Sequence, residues 1–214
     1  MRILVTAGAT REPIDSVRYI SNLSTGKTGA IISELLLDQG DQIVHLSGAG
    51  AVIPQSHPAL NHMRYNSFSD LDLKLKHLLS TSQFDAVIHS AAVSDFSLLE
   101  PIKGKMSSEA DKLTLKLKRN PKIVSQLLHY SSNPKIKVIA FKLTDTRDEA
   151  IKSKAIHKLT ENSVIHLVVH NDLSEVTEHE NHLFNLYQGD SHWRSVATKQ
   201  ELAFSLYQFI HGDM

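Results

Sequence analysis

Val5-Thr-Ala-Gly8-Ala-Thr-Arg11-Glu-Pro-Ile-Asp15-Ser-Val-Arg18-Tyr-Ile-Ser-Asn22-Leu-Ser-Thr-Gly26-Lys-Thr-Gly29 is the stretch from which the fold is read. Apolar Ile3-Leu-Val5 precedes it and runs straight into Gly8, a strand delivered into a tight turn. A polar loop follows, carrying Arg11 and Arg18 with the acids Glu12 and Asp15. A second small-residue cluster, Asn22 to Gly29, then opens an apolar helix. The first N–H groups of a helix lack internal partners and its dipole adds partial positive charge, so such a start attracts anions. Two such turns with arginines between them point to a nucleotide or a phosphorylated metabolite.

Outward from this stretch, strand-like and helix-like segments alternate. A helix over Thr25–Gln39 has an apolar face of Ile31, Ile32, Leu35 and Leu36, with Gly40 where a C-terminal cap belongs. Strands are expected at Arg2–Gly8, Gln42–Ser47, Asp85–Ala92, Val138–Leu143 and Ile165–His170. Helices are expected at Ser69–Ser80 and Glu149–Asn162. This alternation predicts an α/β fold, a Rossmann-like, mostly parallel sheet flanked by helices. Two regions depart from it. Leu113–Lys118 has a strict period of two and reads as a half-exposed antiparallel strand. Two short C-terminal strands, Leu183–Tyr187 and Trp193–Val196, precede a last helix over Lys199–His211. With no linker or repeat, residues 1–214 read as one domain with a protruding flap.

The composition excludes several classes. Among 214 residues, Lys+Arg and Asp+Glu both number 23, so no global charge draws the chain to nucleic acid or an anionic membrane. No cysteine is present, which removes disulfides, thiolate metal sites and cysteine nucleophiles. No apolar run is long enough to span a bilayer, and the chain opens on a strand rather than a signal peptide. A cytoplasmic protein without membrane or nucleic-acid partners is expected.

Three familiar motifs fail. Gly26-Lys27-Thr28 resembles the end of a P-loop, but the required first glycine falls at Ser21. The dinucleotide G-x-G-x-x-G is absent, and the second strand ends in Leu46-Ser47-Gly48 with no acid for a ribose hydroxyl. Lys105-Met-Ser-Ser108 matches a synthetase signature loop, yet no His-x-Gly-His accompanies it. Of the 13 histidines, His166 and His170 would share a strand face, and His179, Glu180 and His182 sit close together. Neither group forms a recognisable ligand motif, and satisfied or surface histidines are the commoner outcome. Asn22-Leu-Ser24 matches a glycosylation acceptor but reads as loop chemistry.

Ala91-Ala-Val-Ser-Asp95-Phe96 is more telling. Small residues at the end of a central strand let a ligand approach the backbone, where open α/β sheets bind ligands. Asp95 either serves that ligand or caps a turn. Lys103 and Lys105 follow in the flap, then Asn120-Pro121; in isolation those lysines read as a solvated loop.

Taken in order, these pieces resemble the phosphopantothenate–cysteine ligases (phosphopantothenoylcysteine synthetases) of coenzyme A biosynthesis. The resemblance is carried by Val5–Asp15, Val17–Lys27, Ala91–Phe96, Lys105–Ser108, Leu113–Leu117, Asn120-Pro-Lys-Ile123, Ala140-Phe-Lys142 and Asn171-Asp172. It spans nearly the whole chain, and without a flavin decarboxylase domain ahead of it the chain resembles the monofunctional form. The resemblance implies a reaction joining 4′-phosphopantothenate to cysteine at the expense of a nucleoside triphosphate, CTP in most bacterial members. The substrate carboxylate attacks the α-phosphate, pyrophosphate leaves, and cysteine's amine displaces CMP from the acyl-cytidylate. Mg²⁺ shares the triphosphate charge, no metal-ligating residue is assigned, and a homodimer is implied, with the flap and C-terminal strands as contacts.

By the same resemblance, Asn22 acts on the acyl-nucleotide and is catalytic, and Arg18 binds the substrate phosphate. Gly8, Ala91 and Phe141 frame the nucleotide, Asp95 binds it, and Lys105 holds the triphosphate during activation. Several positions depart from the family pattern. Ser107 and Ser108 replace later flap lysines, Ala9 replaces a glycine, and Ala140-Phe-Lys-Leu-Thr-Asp145 replaces a Gly-Phe-Ala-Ala-Glu-Thr stretch. Lys142 is a candidate to compensate for lost flap charge. The alternatives are an NAD(P)-dependent reductase of similar fold and a non-catalytic nucleotide-binding regulator.

Overall fold

The computed structural model describes residues 1–107, 111–175 and 183–212. The first strand, β1 (Arg2–Ala7), lies near the middle of an eight-stranded sheet. A small hairpin of β2 (Arg11–Pro13) and β3 (Tyr19–Ser21) leads to helix α1 (Lys27–Asp38). Next come β4 (Gln42–Gly48), β5 (Leu60–Tyr65), α2 (Phe68–Thr81) and β6 (Ala86–His89). A second small hairpin pairs β7 (Phe96–Leu98) with β8 (Leu117–Arg119). The chain continues through α3 (Leu127–Tyr130), β9 (Lys137–Thr144), α4 (Glu149–Thr160) and β10 (Leu167–Asp172). It closes with β11 (Phe184–Gln188), β12 (Ser191–Val196) and α5 (Lys199–His211).

The sheet order is β12-β11-β10-β9-β6-β1-β4-β5. All neighbours from β10 to β5 pair parallel; β11 and β12 add antiparallel strands at one edge. Numbered by appearance, the parallel strands follow the Rossmann order, which reverses between β1 and β6. Both faces of β1 are buried, which explains its unbroken apolar run. Ile3 and Val5 pack with Ile32 and Leu36 of α1 and Leu206 of α5. Leu4 faces the other way, against Leu71 and Leu75 of α2 and Leu127 of α3. Each such fully buried side chain contributes about 1.5–3 kcal/mol relative to exposure.

Local chemistry sets the helix ends. Ser67 accepts the Asp70 amide at the start of α2, Asp148 accepts the Ala150 and Ile151 amides of α4, and Thr198 with Glu201 forms a capping box on α5. Helix α1 differs: its cap is Gly26, with no side-chain cap and no acid in the first turn. Gly29, in that turn, sits so close to the sheet that a Cβ would lie 2.5 Å from Ala7 Cβ and 3.0 Å from Ser90 Oγ. Alanine is worth about 1 kcal/mol over glycine in an open helix. Overpacking costs about 1–3 kcal/mol and should win here. Gly29→Ala is therefore expected to lower the denaturant midpoint; a midpoint equal to or above wild type would mean that α1 is not held against the strand ends.

The structure shortens two expected strands and adds several elements. The alternation over Leu113–Lys118 becomes strand only at Leu117–Arg119, paired with the three residues of β7, with one further backbone bond, Leu99 N to Lys116 O at 2.9 Å, beside it. The strand expected over Asp85–Ala92 is regular only to His89, although Ala92 N still donates to Gly8 O at 2.8 Å. The edge strand β5, the β2–β3 hairpin and the 123–130 turns were not foreseen. Among the described residues no helix is long and apolar enough to cross a membrane.

Candidate active site

Beyond the carboxyl ends of β1, β6, β9 and β10, where the strand order reverses, opens a cleft of about 930 Å³. One wall is the 22–29 segment and the uncapped start of α1. A second is the 89–95 segment leaving β6, and a third is formed by the end of β9 with α4. Four of the expected catalytic and binding residues meet here, Asn22, Ala91, Asp95 and Phe141, together with Lys142.

The walls are held by backbone-directed polar contacts. Gly8 has φ +81°, and a Cβ there would come within 2.6 Å of Ala51 Cβ, so the turn after β1 requires glycine. Its carbonyl ties this turn to β6 through Ala92, and Gly8 itself is buried behind the cleft rather than on its wall. Thr10 Oγ1 accepts the Ser94 amide at 3.0 Å, and Asn120 Nδ2 donates to Ser94 O at 3.0 Å. The Asn120 amide reaches Asp95 O at 2.8 Å, so Asn120-Pro121 positions the Asp95 loop. Asp95 Oδ1 is ion-paired with Lys122 Nζ, a partner not recognised from sequence. Asn22 Nδ2 donates to Val93 O at 3.3 Å across the cleft entrance.

Charge in the cleft is one-sided. Lys27, Lys122, Lys142, Lys154 and Lys158 all line it, and Asp95 is the one acid among the described lining residues. Lys154 and Lys158 are four residues apart and share a face of α4. Their neighbour Lys152 projects elsewhere and is buried between Glu149 and Glu175. The cleft thus presents several cations between apolar walls. Only Lys142 of the lysines on the β9–α4 wall was singled out from sequence. An i, i+4 search of a helix following a strand end would have found Lys154 and Lys158.

Arg18 and Lys105 lie outside the cleft lining. Arg18 Nη1 is paired with Asp15 Oδ2 at 2.7 Å and reaches Met106 O at 3.3 Å. Asp15 also accepts the amides of Val17, Arg18 and Met106. Led by the Val17 amide, these bonds hold its carboxyl well below the usual range, at about 2. Ile102 N to Ile14 O at 2.9 Å completes the docking of this loop on the hairpin, leaving Lys103 and Lys105 exposed. Ser108, at the end of the lysine-bearing motif, lies outside the described residues, as do His179, Glu180 and His182. His166 Nδ1 accepts the Val138 amide at 3.1 Å and His170 Nε2 meets Thr144 Oγ1 at 2.8 Å, while His170 Nδ1 is buried without a partner among the described residues.

A family model for the DNA/pantothenate metabolism flavoprotein C-terminal domain matches residues 1–213. The chain belongs to this family. It is 35% identical over 175 residues to the coenzyme A biosynthesis bifunctional protein CoaBC of Methanocaldococcus jannaschii, covering 81% of this chain and 41% of that one. The Haemophilus influenzae protein of the same name is 30% identical over 210 residues, 96% of this chain and 50% of its own length. The chain thus spans about half the length of the curated relatives it matches. The crystal structure of the DNA/pantothenate metabolism flavoprotein from Streptococcus pneumoniae superposes with a TM-score of 0.87 at 30% identity, covering 98% of both chains. The Rossmann-like sheet expected from sequence is the fold of the family's solved structure as well.

Proposed function

We propose that this chain is a phosphopantothenate–cysteine ligase that activates 4′-phosphopantothenate with CTP and joins it to L-cysteine through an acyl-cytidylate. The observation that supports it most is the cleft at the strand-order reversal, where Asn22, Asp95 and five lysines meet the open start of α1. Relatives named for coenzyme A biosynthesis point the same way.

The substrates supply both nucleophiles, so the protein's work is orientation and charge stabilisation. The apolar walls around Ala91 and Phe141 take the base. Lys154 and Lys158 meet the phosphates, and Lys142 stands where charge missing from the flap is restored. Asn22 donates to oxygen as charge develops on the acyl-phosphate centre. Arg18 offers a planar fork to the phosphate of the substrate, at the price of sharing it with Asp15. Among the described residues no group of three or more His, Asp or Glu is placed to hold a metal, and Asp95 is held by Lys122. Mg²⁺ would be carried on the triphosphate, where it would neutralise phosphate charge. We place the reaction in the cytoplasm and in a homodimer.

Incubation with CTP, 4′-phosphopantothenate and cysteine tests the assignment. Cysteine-dependent CMP supports the ligase, tight NADPH binding without turnover the reductase, and CTP binding without chemistry the regulator. With CTP and ATP in competition, CMP should exceed AMP; predominant AMP would overturn the nucleotide preference alone.

The flap lysines carry a sharper expectation. Lys105, ten residues after Asp95, is assigned to the triphosphate, where a compact charge on a flexible stem can follow the phosphates. Lys105→Ala should weaken CTP binding and slow activation while 4′-phosphopantothenate affinity holds. Lys103→Ala should change CTP affinity by no more than about fivefold, as for an exposed charge. Parallel CTP titrations decide it, and a more damaging Lys103→Ala would move the assignment two residues upstream.

A further inference from the structure

His89 ends β6 with Thr6 of β1 and Ala140 of β9 as its partners in register. It borders the cleft although only 7% of it is exposed. Its neighbours fix the position of its proton. Thr6 Oγ1 lies 2.9 Å from His89 Nδ1 and accepts the Ala91 amide at 3.3 Å. Thr6 is fully buried, and among the described residues its hydroxyl hydrogen has no other acceptor. The hydroxyl therefore donates to Nδ1, and the proton of the neutral ring sits on Nε2. Burial keeps the ring neutral by lowering its pKa to about 4. Nε2 has no protein partner among the described residues, but it is not sealed in. Among the described residues, the buried side-chain atoms left without partners are His45 Nε2, His170 Nδ1 and Glu175 Oε2. His89 Nε2–H therefore opens onto the cleft.

The surroundings say what it would meet. Ala140 packs in one apolar cluster with Ile123, and Ala91 and Val93 pack against that cluster. Lys122, Lys154 and Lys158 are exposed along the rim. A flat heterocycle fits the apolar floor, and phosphates fit the rim. Resting on the ligase reading above, we infer that His89 selects the nucleobase, its Nε2–H donating to a ring nitrogen or carbonyl acceptor of the base. A few placed polar groups on an otherwise apolar wall are what orient a ligand, and an unmet donor of this kind discriminates between bases that offer different edges.

The test compares wild type, His89→Leu and His89→Gln by equilibrium titration with CTP and with ATP, with 4′-phosphopantothenate as the control ligand. His89→Leu should lose roughly tenfold in affinity for the preferred nucleotide and bring the CTP-to-ATP ratio toward one. His89→Gln, which keeps an N–H near the same place, should retain most of the preference, and 4′-phosphopantothenate binding should stay constant in both. In wild type, the His89 imidazole ¹⁵N signals should move on adding CTP and stay put on adding inorganic tripolyphosphate. An unchanged ratio in His89→Leu, equal damage in His89→Gln, or an equal response to tripolyphosphate overturns the inference while leaving the ligase reading standing. A wild-type protein that binds neither nucleotide overturns both.

Discussion

Asn22→Asp is expected to lower product formation by at least roughly a hundredfold while CTP still binds. The two side chains are nearly isosteric, so the 22–29 wall should keep its shape. What changes is chemistry. Asn22 Nδ2 is a donor at the cleft entrance, now resting on Val93 O at 3.3 Å, a long contact that a better acceptor would displace. Losing one preorganised donor to a developing oxyanion typically costs about 3–4 kcal/mol, and aspartate adds an acceptor beside phosphates. Single-turnover assays with CTP binding measured in parallel provide the readout. Near-wild-type turnover would remove Asn22 from the mechanism.

The second large effect is expected on α4. Replacing Lys154 and Lys158 together by alanine should weaken CTP binding by at least roughly a hundredfold, because each removes a charge-assisted contact from a cleft with little opposing charge. Both side chains are exposed, so the melting temperature should hardly move, which separates lost binding from lost folding. The loss should shrink as salt rises, since rim charges are screened. A double variant that binds CTP like wild type would show that α4 does not meet the triphosphate and leave that role to Lys105 of the flap.

The main architecture was legible because its signals are periodic and strong. Ile3-Leu-Val5 before Gly8, the apolar face of Ile32 and Leu36, and the apolar runs at Ala86–His89 and Leu167–His170 give away a buried parallel sheet before any contact is seen. The edge strand Leu60-Asn-His-Met-Arg-Tyr65 was not legible, since one row of its backbone faces no partner and its sequence need not alternate. Leu113–Lys118 misled for the opposite reason: its alternation is real, but among the described residues only its C-terminal end meets a partner, β7 and the adjoining Leu99. Within the site, Asn22, Ala91, Asp95 and Phe141 were legible as motif residues. Lys122 lay in a quoted motif without a role, and Lys154, Lys158 and His89 were not singled out at all. They come from three distant segments, and only the chain crossings at the strand ends bring them to one cleft. Arg18 was legible as a loop arginine, but the pairing of its Nη1 with Asp15 and Met106 O was not, because the Met106 contact crosses from the flap.

The central claim is that the carboxylate of 4′-phosphopantothenate attacks the α-phosphate of CTP. Labelling that carboxylate with ¹⁸O and running the complete reaction with cysteine tests it most directly. If an acyl-cytidylate forms, the P–O bond made during activation survives when cysteine's amine breaks the C–O bond. One ¹⁸O should then appear in the phosphate of CMP, matched by pyrophosphate and by product. Label in inorganic phosphate with CDP as co-product, or unlabelled CMP, would contradict the account.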